Sequence, residues 1–225
     1  MTLTAVDENL WSMGQPLRFW GVETGARMTV VRLEGGGLFV HSPLPLVEGL
    51  LEEVTGLGEV KAVVAPSLFH HLSIPAWRDA FPKAVFACCP GLETKRADVP
   101  WDRVLGDEPE PEWAGQLDQV FFGARTMENE VVFFHGATKT MICADVIFNL
   151  RHHEDLLTRV VALALWNREP GATWLERVMI RDRHAAREQM GRMLAWHPAR
   201  ILLAHGECIE LEGEAVLRRA YRWLW

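Results

Sequence analysis

Three short apolar runs in this chain each lead into a histidine or an aspartate. The runs are 60–65, followed by His70 and His71; 140–144, which ends at Asp145; and 200–204, which ends at His205. Runs of this length and composition predict buried strands. Because rigid strands hold the residues of the following loops in fixed positions, we expect these four polar side chains to converge at one sheet edge.

The elements around these runs alternate between strands and helices. Glycine-containing turns separate β-rich runs that predict an antiparallel meander at 17–22, 28–33 and 38–41. Apolar spacing predicts helices at 46–55, 74–81, 154–166, 182–196 and 213–224. Further strands are predicted at 84–89 and 130–135, and 93–116 is expected to be mostly loop. This order predicts one αβ domain over residues 1–225, with helices outside packed sheets.

The composition limits the partners of the chain. Its 225 residues carry 30 acidic and 23 basic side chains, a net charge of −7, which argues against nucleic-acid binding through bulk charge. No apolar run approaches the ~20 residues needed to cross a bilayer, and the first residues lack the features of a secretory signal. The four cysteines have no disulfide or zinc-finger spacing. We therefore expect a cytoplasmic protein that binds neither nucleic acid nor membrane.

Histidine and aspartate are suitable ligands for Zn, Fe or Mn. Three or four such side chains converging on one ion would lower the pKa of a bound water to ~7 and provide hydroxide at neutral pH. Each residue taken alone has a second interpretation, as a hydrogen-bonded structural histidine or a helix-capping aspartate. The combined pattern, rather than any single residue, predicts a metal site.

The same pattern resembles the metallo-β-lactamase superfamily, in a poorly characterised branch known as a domain of unknown function. The resemblance covers residues from about 9 to 224 and is carried by the stretches 39–43, 66–72, 130–135, 145–149 and 203–207. It implies an α/β fold, a four-layer αββα sandwich in which two packed mixed β-sheets have helices outside. It also implies a metal-dependent hydrolase acting on a small-molecule substrate.

The chain departs from the superfamily motif His-x-His-x-Asp-His. With the last histidine of the motif on His71, its two earlier histidines fall on Pro66 and Leu68, and its aspartate falls on His70. The resemblance therefore implies that one of two usual metal positions is lost. The other would hold one divalent ion, with zinc expected and Fe or Mn as alternatives, through His70, His71, Asp145 and His205. A site without metal is the competing interpretation.

Two functions follow from these alternatives. In the first, the chain hydrolyses an ester, lactone, amide or phosphoester, with Asp145 and His70 as catalytic residues and His70 acting as fourth ligand or as base. In the second, the same cleft binds a small molecule or a protein without turnover. His41 and His135 are candidates for orienting the ligands, although a turn hydrogen bond is the competing role for His135. The aromatic residues at 221–225 predict an interface between copies of the chain.

Overall fold

The computed structural model describes residues 2–19, 21–124 and 129–225. The strands are β1 (Thr4–Asp7), β2 (Leu10–Gln15), β3 (Arg18–Phe19), β4 (Val22–Glu23), β5 (Ala26–Arg32), β6 (Gly37–His41), β7 (Glu59–Ala65), β8 (Val85–Cys88), β9 (Arg103–Val104), β10 (Leu117–Phe122), β11 (Glu130–His135), β12 (Thr140–Ile142) and β13 (Arg200–Leu202). The helices are α1 (Leu50–Leu57), α2 (Ile74–Ala80), α3 (Leu92–Lys95), α4 (Leu156–Ala164), α5 (Trp174–Met179), α6 (Arg183–Ala195) and α7 (Gly213–Ala220).

The larger sheet has the strand order β1-β2-β5-β6-β7-β8-β9. Its first four strands pair antiparallel, and β6, β7, β8 and β9 then run parallel. Strand β7 lies between two parallel neighbours and is buried from Ala62 to Ala65, as a continuous apolar run predicts. The smaller sheet has the order β10-β11-β12-β13, in which only the β12–β13 pair is parallel.

Two apolar cores separate the layers. The first packs α1, α2 and the larger sheet together with inward-facing residues of the smaller sheet, such as Phe133 and Ile142. The second lies between the other face of the smaller sheet and helices α6 and α7. Alternating residues of β12 divide between them, since Met141 belongs to the second core and Ile142 to the first. The layers are therefore helix, sheet, sheet and helix.

The structure differs from the sequence-based expectations in several elements. Strands β1, β2 and β10 and helix α5 were not expected. The predicted strand over 17–22 is a short hairpin of β3 and β4, of which Trp20 lies outside the described residues. The helix expected at 46–55 begins only at Leu50, because Gly49 before it has φ of 83°, outside the helical region, and the helix extends to Leu57. The helix expected over 213–224 ends at Ala220 and is followed by a 3-10 turn.

The aromatic C-terminus packs largely onto the second core. Tyr221 is buried and donates from its hydroxyl to the carbonyl of Val146 at 2.7 Å, and Leu224 is also buried. Trp225 remains 59% exposed. Of the aromatic residues at 221–225, where an interface was predicted, only Trp225 is therefore strongly exposed. Across the described ranges, no helix has the length and apolar composition that crossing a bilayer requires.

Candidate metal centre

Three of the four predicted ligands converge at the carboxyl ends of their strands. The Nε2 atoms of His70 and His205 lie 3.2 Å apart, and Asp145 Oδ1 lies 3.4 Å from His70 Nε2 and 3.1 Å from His205 Nε2. Strands β12 and β13 are parallel, so the loops that follow them leave the smaller sheet at the same edge. The loop after β7 brings His70 to this edge from the larger sheet.

The triangle of ligand atoms has the dimensions of a metal site. A point equidistant from atoms separated by 3.1, 3.2 and 3.4 Å lies about 1.9 Å from each of them. Zinc binds imidazole nitrogen and carboxylate oxygen at about 2.0–2.2 Å, close to this distance. Two nitrogens and one carboxylate oxygen on one side of an ion also leave coordination positions for water and substrate. The donor set therefore fits a single divalent metal.

His205 is held in one tautomer by the backbone of the larger sheet. Its Nδ1 lies 2.8 Å from the carbonyl oxygen of Gly25, which can only accept, so the ring carries a proton on Nδ1 and presents Nε2 to the cluster. The Phe148 ring stacks on the imidazole with centroids 5.4 Å apart. Arg27 donates to the carbonyls of Leu203 and Gly206, on either side of His205. These contacts fix both the ring and the loop.

The carboxylate of Asp145 is positioned by two other side chains. Ser67 donates from its hydroxyl to Oδ2 at 2.7 Å, which leaves Oδ1 for the cluster. Glu130, fully buried, accepts the backbone N–H groups of Ala144 and Asp145 at 2.5 and 2.8 Å. Burial alone would raise the pKa of the Asp145 carboxyl, but His70 and His205 hold it well below its usual range. Asp145 is therefore ionised at neutral pH.

His70 is supported by a residue in an uncommon backbone conformation. Its Nδ1 lies 2.6 Å from the hydroxyl oxygen of Ser42, and Ser42 has φ of 54°. A positive φ is uncommon for residues other than glycine, and such residues concentrate at functional sites. Where the Ser42 hydroxyl accepts from His70 Nδ1–H, the Nε2 lone pair of His70 faces Asp145 and His205.

His71 does not join this cluster. Its Nδ1 lies 2.8 Å from NH1 of Arg96, and a guanidinium can only donate. Burial, then the charges of Arg96 and Lys95, lower the pKa of His71 to about 4, so the ring is neutral and carries its proton on Nε2. Neither nitrogen then offers a free lone pair to a metal. His71 is therefore not among the proposed ligands.

The two candidate supporting histidines lie at different distances from the cluster. His41 ends β6 beside Val64 of β7 and is 1% exposed, and its buried Nε2 has no hydrogen-bond partner among the described residues. Burial, followed by the charge of His70, lowers the pKa of His41 to about 3. His135 pairs with Thr140 at the opposite end of β12 from Asp145, and its Nδ1 lies 2.9 Å from the Thr138 hydroxyl. His135 therefore makes the turn contact, away from the site.

The sequence interpretation missed the supporting residues Ser42, Ser67, Glu130, Gly25 and Arg27. A local signal indicates Ser42 and Ser67, because each serine lies just beyond an apolar strand, as the proposed ligands do. The role of Glu130 depends on β11 lying beside β12, and the roles of Gly25 and Arg27 depend on contacts between the two sheets. The spacing of residues along the sequence does not predict these contacts.

The arrangement of the cluster favours a positive charge at its centre. A neutral His205 with its proton on Nδ1 turns a lone pair toward the Asp145 carboxylate at 3.1 Å, and two acceptors at that distance repel each other. Burial alone would lower the pKa of His205, but its hydrogen bond and its attraction to Asp145 raise that pKa. A proton on Nε2 or a metal cation relieves the same repulsion.

Comparison with known proteins identifies the fold. Residues 7–197 match the family model described as Domain of unknown function (DUF4336). None of the curated proteins compared with this chain matches it.

Among solved structures, a metallo-beta-lactamase from Pontibacter korlensis is 13% identical with a TM-score of 0.67, and the match covers 99% of this chain and 97% of that one. A metallo-beta-lactamase from Hirschia baltica is 11% identical with a TM-score of 0.65, with 99% and 96% covered. The metallo-beta-lactamase FIM-1 from Pseudomonas aeruginosa, in a mono-zinc form, is 12% identical with a TM-score of 0.64, with 99% and 94% covered. These matches confirm the predicted metallo-β-lactamase fold.

Proposed function

Since the chain belongs to the DUF4336 family of domains of unknown function and has the metallo-β-lactamase fold, we propose that it is a metal-dependent hydrolase with a mononuclear site. The proposed ligands are His70, Asp145 and His205. The observation that carries the proposal is the convergence of their three ligand atoms within 3.1–3.4 Å of one another, with each side chain held by a contact outside the cluster.

A divalent ion held by His70, Asp145 and His205 would supply a bound water with a pKa of about 7 and would act as a Lewis acid toward a carbonyl or phosphoryl oxygen. The residues of the chain prepare the site for that chemistry. Asp145 contributes the one negative charge, and Ser67 keeps its second oxygen occupied. His70 is assigned as a ligand rather than a base, because its Nε2 faces the cluster and its Nδ1 is at Ser42. Zinc is the proposed ion, and Fe or Mn fits the same donors.

The surface beside the cluster favours a substrate with an apolar group. Phe69 and Leu72 flank the two histidines of the β7 loop and are 43% and 76% exposed. Phe19 of the β3–β4 hairpin meets the Phe69 ring edge-on with centroids 6.4 Å apart. Lys95 Nζ lies 4.6 Å from the centroid of the same ring. Apolar esters, lactones, amides and phosphoesters are therefore the compounds to screen.

The test combines metal analysis with hydrolysis assays. Protein purified without chelators, or reconstituted with Zn, Fe(II) or Mn, is expected to hold one equivalent of metal and to hydrolyse at least one compound class. Asp145→Asn and His205→Ala are expected to lose metal and to lower activity about 100-fold or more. His71→Ala is expected to retain the metal, as is a matched control at the exposed His184. Metal-loaded protein that hydrolyses none of the four classes contradicts the proposed activity.

One observation favours the second candidate, a binding protein without turnover. Pro66 and Leu68 stand at two ligand positions of the superfamily motif, and in the structure Pro66 is buried with its carbonyl accepting from Val131. Leu68 packs against the first core. The residues of that missing position are thus used for packing. A chain that takes up no metal under any of the conditions above would support this candidate.

A further inference from the structure

Helix α4 exposes an apolar stripe on the side opposite to its buried face. Leu156, Val160 and Leu163 follow one another at i, i+4 and i+7 and are 66%, 54% and 51% exposed. The buried face of the helix carries Thr158 and Ala162. A helix at the surface of a monomer usually turns its apolar stripe to the core and its charged residues to water. Here apolar residues occupy both faces.

The adjoining helix α5 extends this surface. Trp174 donates from its indole N–H to the carbonyl of Ala164 at 3.2 Å, which places the start of α5 beside the end of α4. The shared apolar surface, which we call the α4–α5 face, consists of Leu156, Leu157, Val160, Leu163, Trp166, Trp174, Leu175 and Val178, each between 38% and 71% exposed.

The size of the α4–α5 face matches one half of a stable protein interface. These exposures correspond to roughly 800 Å² of accessible surface, against about 300–600 Å² for the largest apolar patch on a typical monomer. A standard protein–protein interface buries about 800 Å² on each partner. Two such faces in contact would therefore bury enough surface for a specific dimer.

The charges around the α4–α5 face favour a second copy of the chain over a membrane as its partner. The segment that carries the face exposes charges of both signs, Arg159 and Arg168 together with Glu154 and Glu169, of which Glu169 pairs with Arg219 at 3.1 Å. A rim of mixed sign can pair with itself across a two-fold axis, where the same patch meets its own copy. An anionic bilayer surface is less suitable, because the chain carries a net charge of −7. From size and charge together, we propose that the α4–α5 face is the interface of a symmetric homodimer.

The β3–β4 hairpin connects the start of α4 to the loop that carries His70. Arg18 of the β3–β4 hairpin reaches Asp155, the N-cap of α4, at 3.3 Å, and Thr158 donates to the carbonyl of Glu23 at 2.9 Å. The hairpin also carries Phe19, which contacts Phe69 next to His70. The proposal does not depend on the hydrolase activity.

Sedimentation velocity of the full chain tests the proposal between about 1 and 100 µM. The wild type is expected to sediment as a dimer of two 25.5 kDa chains. The double variant Val160→Glu/Leu163→Glu should dissociate, with a dissociation constant raised about 100-fold or more. Leu211→Glu is the matched control, because Leu211 is 78% exposed and lies outside the α4–α5 face. It should remain a dimer.

Circular dichroism and thermal melting check that each variant is folded, and Val160→Gln/Leu163→Gln replaces the double glutamate variant if it is not. A wild type that stays monomeric at the highest concentration overturns the proposal. A dimer that persists in both double variants, Val160→Glu/Leu163→Glu and Val160→Gln/Leu163→Gln, also overturns it, because its interface would lie elsewhere, for example at the C-terminus. A monomer that floats with phosphatidylcholine/phosphatidylglycerol vesicles also overturns it and would identify the face as a lipid-binding surface.

Discussion

Glu130 holds the backbone of Asp145 through a carboxylate–amide hydrogen bond of 2.8 Å, while its other oxygen accepts from Ala144. Both partners lie on the segment that leaves β12 for the metal centre. Hydrogen bonds from backbone N–H groups to a carboxylate are roughly twice as strong as those between neutral groups. The position of Asp145, the only acidic residue among the proposed ligands, thus depends on a residue in the neighbouring strand.

We predict that Glu130→Gln weakens both the fold and the site. The amide group of glutamine would direct a donor at one of the two N–H groups, so that one buried hydrogen bond is lost. The free energy of unfolding should fall by about 1–3 kcal/mol, and metal affinity by about 10–100-fold. Chemical denaturation and competition titration with a chromophoric chelator measure the two effects. Glu48→Gln, at an exposed position, should change neither; unchanged metal affinity in Glu130→Gln would show that Asp145 does not need this support.

A second prediction concerns Ser67, whose hydroxyl donates to Asp145 Oδ2 at 2.7 Å. In Ser67→Ala the carboxylate loses the contact that directs Oδ1 to His70 and His205. We expect metal affinity about 10-fold lower. The free energy of unfolding should also fall by about 1–3 kcal/mol, because a buried hydrogen bond to a carboxylate is lost. The same chelator competition and chemical denaturation measure the two effects. Ser73→Ala is the control, because the Ser73 side chain makes no capping hydrogen bond at α2. Equal affinities for the two variants would mean that Glu130 alone positions Asp145.

A third prediction tests the close approach behind His205. Gly206 has φ of 94°, and a Cβ there would lie 1.9 Å from the carbonyl oxygen of Asn149. Gly206→Ala should therefore destabilise the fold by about 3 kcal/mol, with a melting temperature roughly 10 °C lower. Gly191→Ala, inside α6 with nothing within 4 Å of the added methyl, should stabilise it by about 0.5–1 kcal/mol. Opposite signs in thermal melting are the expected result, and a neutral Gly206→Ala would contradict the close contact.

The convergence of three of the four candidate side chains could be predicted because their signals are local, and the four-layer fold was implied by the family resemblance. Each ligand follows a buried strand within a few residues, and the strand order follows from the chain order. The choice between His70 and His71 is not local, since it depends on Arg96, 25 residues from His71. Helix α5 had a usable signal in the Thr173–Glu176 capping box. Strand β10 did not, because its apolar residues are interrupted by Asp118 and Gln119 and its burial comes from pairing with β11.

The buried His41 should make the free energy of unfolding fall as the pH falls below about 6.5. Burial lowers the pKa of His41 to about 3 in the folded chain, from 6.5 in the unfolded chain. Below pH 6.5 the unfolded state therefore binds a proton that the folded state does not, and the free energy of unfolding falls as the pH falls, until both states are protonated near pH 3. The loss from this one group is about 1.4 kcal/mol per pH unit.

His41→Met, which cannot titrate, should remove that component. Between about pH 6.5 and 5 the free energy of unfolding of the variant should fall by roughly 2 kcal/mol less than that of the wild type. Urea denaturation at several pH values in the presence of a chelator gives the comparison, and His184→Met, at an exposed position, should follow the wild-type profile. Parallel profiles for His41→Met and the wild type would show that His41 is protonated in the folded chain, in conflict with its burial beside His70 and Asp145.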